Sequence, residues 1–584
     1  MVPRVWAPDA HAVELVLGEH RRSMAREPDG WWAADVDLAS GTDYAFAVDG
    51  SPPRPDPRSA WQPTGVHGPS RVFDAGAFAW SDDDWRGTDV RGRVLYELHV
   101  GTFTPEGTLR AAIGRLDHLV ALGVEVVELM PIAAFDGAHG WGYDGVGLFT
   151  VHEPYGGPAA LQELVDAAHA RGLGVCLDVV HNHLGPAGNY LSTFGPYFTG
   201  AHETPWGAAA NLDGPCSAEV RQWICDSALR WFSDFHVDAL RLDAVHALVD
   251  DSERHILAQL SDEVAALAIR LGRPLSLIAE SDLNDPATIA PTAAGGRGMT
   301  AQWSDDVHHA IHAFMTGERQ GYYADFGTAA TLRTALTRAF VHDGTYSTFH
   351  GRPWGHQVPR GTDGHRFVVF ASDHDQVGNR AQGDRPAASL DAGALAIEAA
   401  LVLLSPFTPM LFMGEEWGTR TPWQFFTDYT DPDLAQAVRE GRRAEFAGHG
   451  HTDASQAADA DLEAPDPQDP ATFERSRLDW SQIAQPEHAR MLAWYRALIE
   501  LRREIPDLAD GDLDATTVRF DDDDRPSWVV VARGAARIVC NLAYVTQRVP
   551  LGTERALDVR AAWEPTGPAG STIALPGRSV AVLA

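Results

Sequence analysis

The chain has 584 residues, of which 45% are hydrophobic, so it can form several buried cores and about three to five domains, or fewer if one is an α/β barrel. Its 46 basic and 81 acidic residues give a net charge of −35 at pH 7, which argues against a nucleic-acid partner and against docking on anionic lipid, and favours a neutral substrate. The sequence contains no lysine, which excludes Schiff-base chemistry and a phosphate-binding lysine.

The cysteines and the apolar segments bear on cellular location. Cys176, Cys216, Cys225 and Cys540 are scattered and form no CxxC pair, so free thiols in a reducing cytosol are the simpler interpretation. The amino terminus lacks the apolar segment of a secretory signal. The most apolar stretch, 399–414, contains prolines that a regular membrane-spanning helix would not tolerate. These features predict a cytoplasmic protein that does not bind membranes.

Residues 1–88 are predicted to form an N-terminal β-sandwich domain. Apolar and polar residues alternate over 11–17, and turn-forming pairs at 8–9 and 49–50 punctuate the segment. The proline-rich run 51–59 predicts a loop rather than a helix.

Residues 89–508 are predicted to form a (β/α)8 TIM barrel. The short apolar runs that predict strands are 94–100, 124–130, 173–180, 237–245, 274–280, 299–303, 366–372 and 409–414. The clearest helical patterns are 108–122, 158–171, 215–235, 251–271, 389–404 and 487–505. Continuous apolar strands separated by helices indicate a parallel sheet covered on both faces, and eight such units indicate a closed barrel.

Two stretches interrupt the barrel, and a third follows it. The insertions are 304–365, rich in histidine, glycine and aromatic residues, and 415–485, which is polar and acidic. They are either plain surface loops or loops that shape the substrate site, because loops after barrel strands lie on the catalytic face. Residues 509–584 are predicted to form a C-terminal antiparallel β-domain, in which 521–524 is a solvated turn.

Polar residues follow four neighbouring apolar runs at the point where each predicted strand ends. These segments are 178–183, 241–246, 280–282 and 372–375. For any one of them, a helix cap or a turn explains an aspartate equally well. Active sites of TIM barrels lie at the carboxyl ends of the strands, so Asp243, Glu280 and Asp375 are expected to converge there. Several titratable groups in one cleft favour acid–base chemistry.

The spacing of two of these carboxyl groups predicts a glycosidase mechanism. Asp243 and Glu280 would end adjacent strands, which lie about 4.8 Å apart. That distance fits the roughly 5–5.5 Å separation of retaining glycosidases better than the wider gap of inverting ones. We therefore expect Asp243 to be the nucleophile and Glu280 the general acid. Arg241, two residues before Asp243 on the same strand face, would keep that carboxylate ionised.

Four motifs carry a family resemblance. DVVHNH, LRLDAVH, IAESD and SDHD, together with their order and spacing, resemble the conserved regions of the α-amylase superfamily of retaining glycosidases. The N-terminal VWAPDAHAVEL and the segments 96–107 and 140–158 resemble the branching, debranching and trehalose-releasing members, so that the likeness covers most of the chain. Segments 301–327, 411–429 and 279–286 closely resemble the malto-oligosyltrehalose trehalohydrolase family.

The resemblance implies a role for each site residue. Asp243 is then the nucleophile, Glu280 the proton donor and Asp375 the transition-state stabiliser, while Tyr143 stacks beneath the sugar in the cleaved subsite. The resemblance also implies contacts with the sugar hydroxyls or the catalytic carboxylates from His183, Arg241, His246 and His374. Weaker candidates for substrate contact are Asp305, Asp306 and Gln376.

The implied reaction is hydrolysis of the α-1,4-glucosidic bond next to the terminal trehalose of malto-oligosyltrehalose, with related α-glucans as further ligands. A malto-oligosyltrehalose synthase would then act in the same pathway. The nearest alternative is a glycogen branching or debranching enzyme, because loops rather than mechanism residues choose the substrate. A non-catalytic α-glucan-binding protein is a third interpretation, against which the intact catalytic carboxylates argue.

No metal and no cofactor are expected. Many α-amylases place calcium beside the asparagine that corresponds to Asn182, but the sequence has no accompanying carboxylate-rich loop, and the resembling subgroup works without the ion. His308, His309 and His312 include an i,i+4 pair that suits zinc, yet no acidic third ligand stands at the required spacing. These histidines are expected to line the cleft or to pack the insertion.

Aromatic residues cluster after strands and in the long loops. Core packing explains any one of them, whereas as a set on the barrel rim they would form stacking platforms for glucose rings. They are Trp206, Trp303, Trp354, Trp417, Trp423, Phe425 and Phe426.

Overall fold

The computed structural model of the chain describes residues 1–448 and 464–584. Eight parallel strands form a closed barrel, as the sequence predicts. They are β1 (Leu95–Leu98), β2 (Val126–Leu129), β3 (Gly174–Val179), β4 (Ala239–Leu242), β5 (Ser276–Ala279), β6 (Ala301–Trp303), β7 (Phe367–Val369) and β8 (Thr408–Phe412). β8 pairs with β1 and closes the ring. Seven strands fall within the predicted apolar runs, and β8 begins at Thr408, one residue before its run. The runs mark the strands because a strand buried on both faces is mostly apolar.

Helices surround the barrel. The principal ones are Leu109–Ile113, Leu116–Leu122, Gly157–His169, Ser217–Asp234, Ile256–Leu271, Asp305–Thr316, Ala329–Arg338, Ala392–Leu403, Pro432–Gly448 and Pro486–Glu504. The shorter ones are Val100–Phe103, Leu191–Phe194, His374–Gly378, Pro386–Ser389, Pro470–Arg475 and Pro506–Ala509. No helix within the described ranges combines the length and the apolar character needed to cross a bilayer.

The predicted helix 108–122 is wrong in one respect, since the structure divides it into two helices. Thr108 caps the first helix by accepting a hydrogen bond from the Ala111 backbone N–H, and this helix ends at Gly114. The second helix ends at Gly123, whose φ of 102° lies in the left-handed region that favours glycine. A side chain at Gly123 would also lie 2.7 Å from Ile499 of the last barrel helix, so close packing there requires glycine.

The interior of the barrel has two layers of different polarity. The lower layer is apolar and consists of Leu95, Val126, Cys176, Ala239, Ile278, Ala301, Val368 and Met410, with Val90, Trp303 and Phe370 in the same cluster. Two residues further along their strands, on the same face, lie Glu97, Glu128, Asp178 and Arg241. The apolar layer closes the barrel from below, and the layer of ionisable residues lies between it and the residues at the strand ends.

Antiparallel sheets flank the barrel in the chain, as expected. The N-terminal part has a three-stranded sheet (Arg4–Trp6, Trp31–Ala33, Ala25–Arg26) and a four-stranded sheet (His20–Ser23, Val13–Leu17, Asp43–Val48, Ser70–Arg71). The C-terminal part has a five-stranded sheet (Thr516–Phe520, Trp528–Arg533, Ala536–Asn541, Ser579–Leu583, Val559–Ala562) and a two-stranded one (Gln547–Pro550, Thr572–Leu575). The domain boundaries after residues 88 and 508 stay a prediction.

The insertions contain more regular structure than surface loops would. Within 304–365 the chain forms two helices, Asp305–Thr316 and Ala329–Arg338, and the hairpin Thr345–Ser347 with Arg352–Trp354. The loop after β3 forms a further hairpin, Phe198–Thr204 with Gly207–Ala210. The predicted insertion 415–485 falls partly on residues 449–463, which lie outside the described residues.

Candidate active site

A cleft of about 520 Å³ opens at the carboxyl ends of the barrel strands. It brings together every site residue that the sequence predicts, and their individual roles stay a prediction. These residues are Tyr143, His183, Arg241, Asp243, His246, Glu280, Asp305, Asp306, His374, Asp375 and Gln376. Residues from six barrel strands or their loops therefore meet on the face where TIM-barrel enzymes place their chemistry.

Asp243 and Glu280 lie side by side at the centre of the cleft. β4 and β5 are parallel neighbours with Leu242 opposite Ala279, so the two carboxyl residues follow at matching positions. The Arg241 guanidinium lies between their side chains: its Nη1 is 2.8 Å from Asp243 Oδ1, and its Nη2 is 3.7 Å from Glu280 Oε2. The pair therefore shares one buried cation.

The environments of the two carboxyl groups differ. Asp243 accepts hydrogen bonds on both oxygens, from Arg241 on Oδ1 and from the Asn182 amide on Oδ2, each 2.8 Å long. Burial raises the pKa of Glu280; Arg241 opposes that rise and the Asp243 carboxylate adds to it. Neighbouring carboxyl groups with such different surroundings provide an acid and a nucleophile at the same pH.

Asn182 is the residue beside which calcium would lie by analogy with α-amylases. Its amide nitrogen donates to Asp243, and its Oδ1 lies 2.5 Å from Nδ1 of His183. The side-chain oxygen that calcium would need is therefore already engaged, and the nearby Asp243 is held by Arg241. Because calcium takes six to eight oxygen ligands, these residues do not fit the ion.

A series of hydrogen-bonded polar side chains runs beneath the cleft from β1 to β4. Glu97 Oε1 lies 2.5 Å from Nδ1 of His374, and Nε2 of the same ring lies 2.8 Å from the Tyr143 hydroxyl. The Tyr143 hydroxyl is 2.6 Å from Asp178 Oδ2, which also accepts a hydrogen bond of 2.9 Å from Arg241. These hydrogen bonds connect the predicted sugar-binding residues Tyr143 and His374 to Arg241, the cation that contacts Asp243.

Burial and neighbouring charges shift the pKa values of two members of this hydrogen-bonded series, Asp178 and His374. Burial raises the pKa of Asp178 to about 7, with Arg241 opposing the rise. Burial works against the charged form of His374, yet the Glu97 carboxylate outweighs it and raises the pKa of that imidazole to about 10. Sequence reasoning missed Glu97, although its position two residues after Leu95 in β1 marks it as an interior residue.

The loop after β7 presents Asp375 to the cleft. Asp373 begins the short helix His374–Gly378 by accepting hydrogen bonds from the backbone N–H groups of Asp375 and Gln376. Asp375 is exposed and accepts a hydrogen bond of 2.7 Å from the Asn379 amide. The sequence reasoning gave Asp373 no separate role; here it is the cap that orients its neighbours.

The three weaker candidates, Asp305, Asp306 and Gln376, all line the cleft. Burial raises the pKa of Asp305 well above its usual range, and the carboxyl groups of Glu280, Asp373 and Asp375 add to the rise. Oδ2 of Asp306 accepts hydrogen bonds from the Asn284 amide and from the backbone N–H groups of residues 341 and 342. Asp306 therefore also organises the insertion.

Further candidates stand at the cleft mouth. The His183 ring stacks on Trp206, with centroids 4.7 Å apart, and Trp206 is half exposed. On the side of Glu280, His246 Nδ1 lies 3.7 Å from Asp282 Oδ1, and the Trp354 indole donates to the Asp282 carbonyl oxygen at 2.7 Å.

Many residues that line the cleft were not identified from the sequence. Most of them belong to the loops, and the only signal was the richness of 304–365 in histidine and aromatic residues. They include Trp141, Asp282, Asn284, Tyr322, Phe326, His342, Ser347, Phe349, His350 and Asn379.

The prediction of a rim of aromatic platforms is only partly right. Trp206 and Trp354 line the cleft, whereas Trp303 borders it but is 2% exposed and belongs to the apolar interior of the barrel. Trp417, Trp423 and Phe426 are 0% exposed, and Phe425 is partly buried against the same core. These four pack in the core: the Trp423 and Phe425 rings contact Trp141, and Phe426 contacts Trp423.

The histidines of helix Asp305–Thr316 do not converge on a metal. His308 contacts the Ala371 carbonyl oxygen at 2.6 Å and the Tyr323 hydroxyl at 2.9 Å, and His312 contacts Glu318 at 3.1 Å. His309 stacks on Tyr322 and lines the cleft. They divide between packing of the insertion and lining of the cleft, as expected.

Comparisons with known proteins agree with this architecture. Residues 73–194 match the family model for the α-amylase catalytic domain. The chain superposes over its full length on a crystal structure from Salmonella typhimurium provisionally named an α-amylase, with a TM-score of 0.89, 39% identity and 97% of that chain covered.

Curated relatives are similar over nearly the whole chain. The malto-oligosyltrehalose trehalohydrolase of Arthrobacter ramosus is 55% identical over 547 residues, which cover 92% of both chains. The malto-oligosyltrehalose trehalohydrolase of Mycobacterium tuberculosis is 50% identical over 585 residues, which cover 99% of this chain and 98% of the relative. The chain therefore belongs to the malto-oligosyltrehalose trehalohydrolase family.

Proposed function

We propose that the chain hydrolyses the α-1,4-glucosidic bond between a malto-oligosaccharide and its terminal trehalose, releasing trehalose and a shortened malto-oligosaccharide. The observation that carries the proposal is the pair Asp243 and Glu280 on adjacent barrel strands, joined by Arg241. The choice of substrate rests on the relatives, which are named for this reaction.

The reaction proceeds by double displacement. In the first step Asp243 attacks the anomeric carbon and forms a glycosyl ester, while the bond to the glycosidic oxygen breaks and Glu280 donates its proton to that oxygen, so that trehalose leaves. In the second step Glu280 removes a proton from water, whose oxygen attacks the anomeric carbon and releases Asp243. The malto-oligosaccharide keeps the α configuration.

The surroundings of the two groups suit these roles. Glu280 needs a proton when substrate binds, and burial raises its pKa. Asp243 must attack from a fixed direction, and hydrogen bonds from Arg241 and Asn182 hold its two oxygens. Trehalose departs on the side of the acid, where His246, Asp282 and Trp354 lie.

The remaining cleft residues bind and stabilise the sugar. Asp375 is exposed to the cleft, where its carboxylate stabilises the positive charge that develops on the sugar ring. The Tyr143 ring stacks beneath the sugar in the cleaved subsite. Contacts with hydroxyl groups come from His183, Arg241, His246, His374, Asp305, Asp306 and Gln376.

Two further points concern the source of the substrate and the compartment in which the reaction takes place. A malto-oligosyltrehalose synthase supplies the substrate in the same pathway. The reaction takes place in the cytoplasm, which the free state of Cys176, Cys216, Cys225 and Cys540 supports.

A comparison of two substrates of equal length tests the proposal. Malto-oligosyltrehalose and the plain malto-oligosaccharide are each incubated with the enzyme, and the products are identified by chromatography. Rapid release of free trehalose with slow attack on the plain sugar supports the proposal. Equal cleavage of both indicates an amylase, and glycosyl transfer without new reducing ends indicates a branching enzyme. Cleavage of neither linear sugar, with attack on the α-1,6 bonds of a branched glucan added as a third substrate, indicates a debranching enzyme.

A further inference from the structure

The Glu97 carboxylate lies inside the barrel and holds a cleft residue without lining the cleft itself. Its side chain, on β1, is 1% exposed. One oxygen lies 2.5 Å from Nδ1 of His374, and the other accepts a hydrogen bond of 3.0 Å from the His374 backbone N–H. A single carboxylate thus fixes both the ring and the main chain of the residue between Asp373 and Asp375.

The hydrogen bonds on the other side of the ring define where its protons lie. Both oxygens of Asp178 accept from Nη1 of Arg241, at 3.0 and 2.9 Å, an arrangement that favours the ionised carboxylate. A carboxylate only accepts, so the Tyr143 hydroxyl donates to Asp178 and accepts from Nε2 of His374. Since Nδ1 faces Glu97, both ring nitrogens carry a proton.

Other ionisable groups that face His374 come from several elements. They are Glu97 on β1, His99 after β1, Tyr143 after β2, Asp178 on β3, and Asp373 and Asp375 on its own loop. Burial lowers the pKa of His99 to about 3, so that this neighbour adds no positive charge. The surroundings are therefore anionic, and among these groups only Glu97 contacts Nδ1.

Glu128 offers a natural comparison. It lies directly opposite Glu97 in the register of β1 and β2, and it is 0% exposed. Neither of its oxygens has a hydrogen-bonding nitrogen or oxygen among the described residues, and its side chain faces the Cys176 thiol. Burial raises the pKa of Glu128 to about 8, so this carboxyl group keeps its proton at neutral pH. The same residue type thus occurs twice in one layer, once paired and once not.

We propose that Glu97 is a positioning residue of the reaction, which holds His374 as an imidazolium with Nε2–H turned towards Tyr143 and fixes the main chain that carries Asp375. The catalytic part of this inference rests on the proposed function, whereas the protonation of His374 does not. An imidazolium donates stronger hydrogen bonds than a neutral ring, so the charge strengthens the contacts of His374 within the cleft.

The first test observes His374 directly. A short charge-assisted N–H···O bond gives a proton resonance far downfield of the amide signals, and the variant His374→Gln assigns it by its loss. We expect this resonance in the wild-type enzyme at neutral pH, and we expect it to persist after Glu128→Gln and to disappear after Glu97→Gln. Absence of the resonance in the wild-type enzyme would contradict the contact between Glu97 and the His374 ring. The nitrogen-15 shifts of the ring report its charge, because a neutral His374 that accepts from Tyr143 at Nε2 keeps its Nδ1 proton on Glu97. We expect both ring nitrogens to show the shift of a protonated nitrogen, and the shift of an unprotonated Nε2 would overturn the inference.

The second test measures activity against pH. Glu97→Gln is expected to lower kcat roughly 10- to 100-fold at neutral pH, the range found when an orienting partner is removed. Without the Glu97 charge the pKa of His374 falls, so kcat should recover as the pH is lowered and the imidazolium forms again. Glu97→Asp keeps the charge and should retain the wild-type shape of the pH profile. Glu128→Gln, the matched control, should leave both kcat and the profile near wild type.

The outcomes separate positioning from a merely structural role. If Glu97→Gln lowers kcat with an unchanged pH profile and an unchanged resonance, or if Glu128→Gln has the same effect as Glu97→Gln, the inference is wrong. If Glu97→Gln does not fold, the nitrogen-15 shifts of the wild-type ring and the Glu97→Asp profile still decide. If the wild-type enzyme releases no trehalose, the proposed function fails, while the ring shifts continue to test the state of His374.

Discussion

Replacing Glu280 by glutamine removes a proton and little else. The amide oxygen of glutamine can still accept the 2.5 Å hydrogen bond that Glu280 receives from the Ala244 backbone N–H. The contact with Arg241 is long, 3.7 Å, so little stabilisation is lost there. Glutamine is also neutral, like the protonated acid that burial favours. The variant is therefore expected to fold normally and to bind substrate.

The expected loss of rate follows from the usual contribution of a general acid. A positioned acid accelerates such steps by about 10²- to 10⁴-fold. Glu280→Gln should thus lower kcat on malto-oligosyltrehalose by that factor, equivalent to about 3 to 5 kcal/mol in activation free energy. A glycosyl fluoride needs no proton to leave, so the first step on this substrate should be nearly as fast as in the wild-type enzyme.

The assay compares the two substrates with wild-type and variant enzyme in pre-steady-state experiments, which isolate formation of the glycosyl-enzyme. Thermal unfolding of both proteins serves as the control for folding. An equal loss of rate on trehalose-bearing and fluoride substrates would refute the assignment of Glu280 as acid, since it would show damage that does not depend on the leaving group.

Further predictions concern the pH profile, the nucleophile, a metal and the core. Because burial raises the pKa of Glu280, kcat/KM should fall on the alkaline side as the pH rises through that pKa. Glu280→Gln should lack this alkaline decrease, and an unchanged decrease in the variant would argue against Glu280 as the acid. Asp243→Asn should abolish turnover yet bind malto-oligosyltrehalose in calorimetry, and surviving turnover would disprove the nucleophile. Treatment with a chelator should leave the rate unchanged, since Asn182 is engaged by protein groups; reversible loss would show a required ion. The buried Arg502 side chain donates hydrogen bonds to the carbonyl oxygens of residues 403, 405 and 407. Arg502→Met leaves these oxygens without their partner, so it should lower the free energy of unfolding by about 3 kcal/mol. An unchanged rate of thermal inactivation would contradict this prediction.

The barrel and the place of Asp243 and Glu280 in its cleft could be predicted because both depend on local patterns. A strand buried on both faces reads as an apolar run, and the first polar residue after it lies at the catalytic face. This reasoning located Asp243 and Glu280, the first residues after β4 and β5, and the register of these strands brings the two together. For β7 it indicated the segment 372–375 as a whole, which includes Asp375.

The parts that could not be predicted depend on contacts between distant segments. Nothing local distinguishes Trp206, which lines the cleft, from Trp423, which is fully buried, because the course of each loop decides. Glu97 and Glu128 both interrupt apolar strands, and the sequence does not show that only one of them meets a histidine from the loop after β7.

Proton NMR during the first turnovers of malto-oligosyltrehalose tests the central claim most directly, because free trehalose and the anomer of the new reducing end are seen in one spectrum. Double displacement at Asp243 predicts that trehalose appears together with the α-anomer, before mutarotation forms the β-anomer. If the β-anomer appears first, or if reducing sugar forms without trehalose, the account is contradicted.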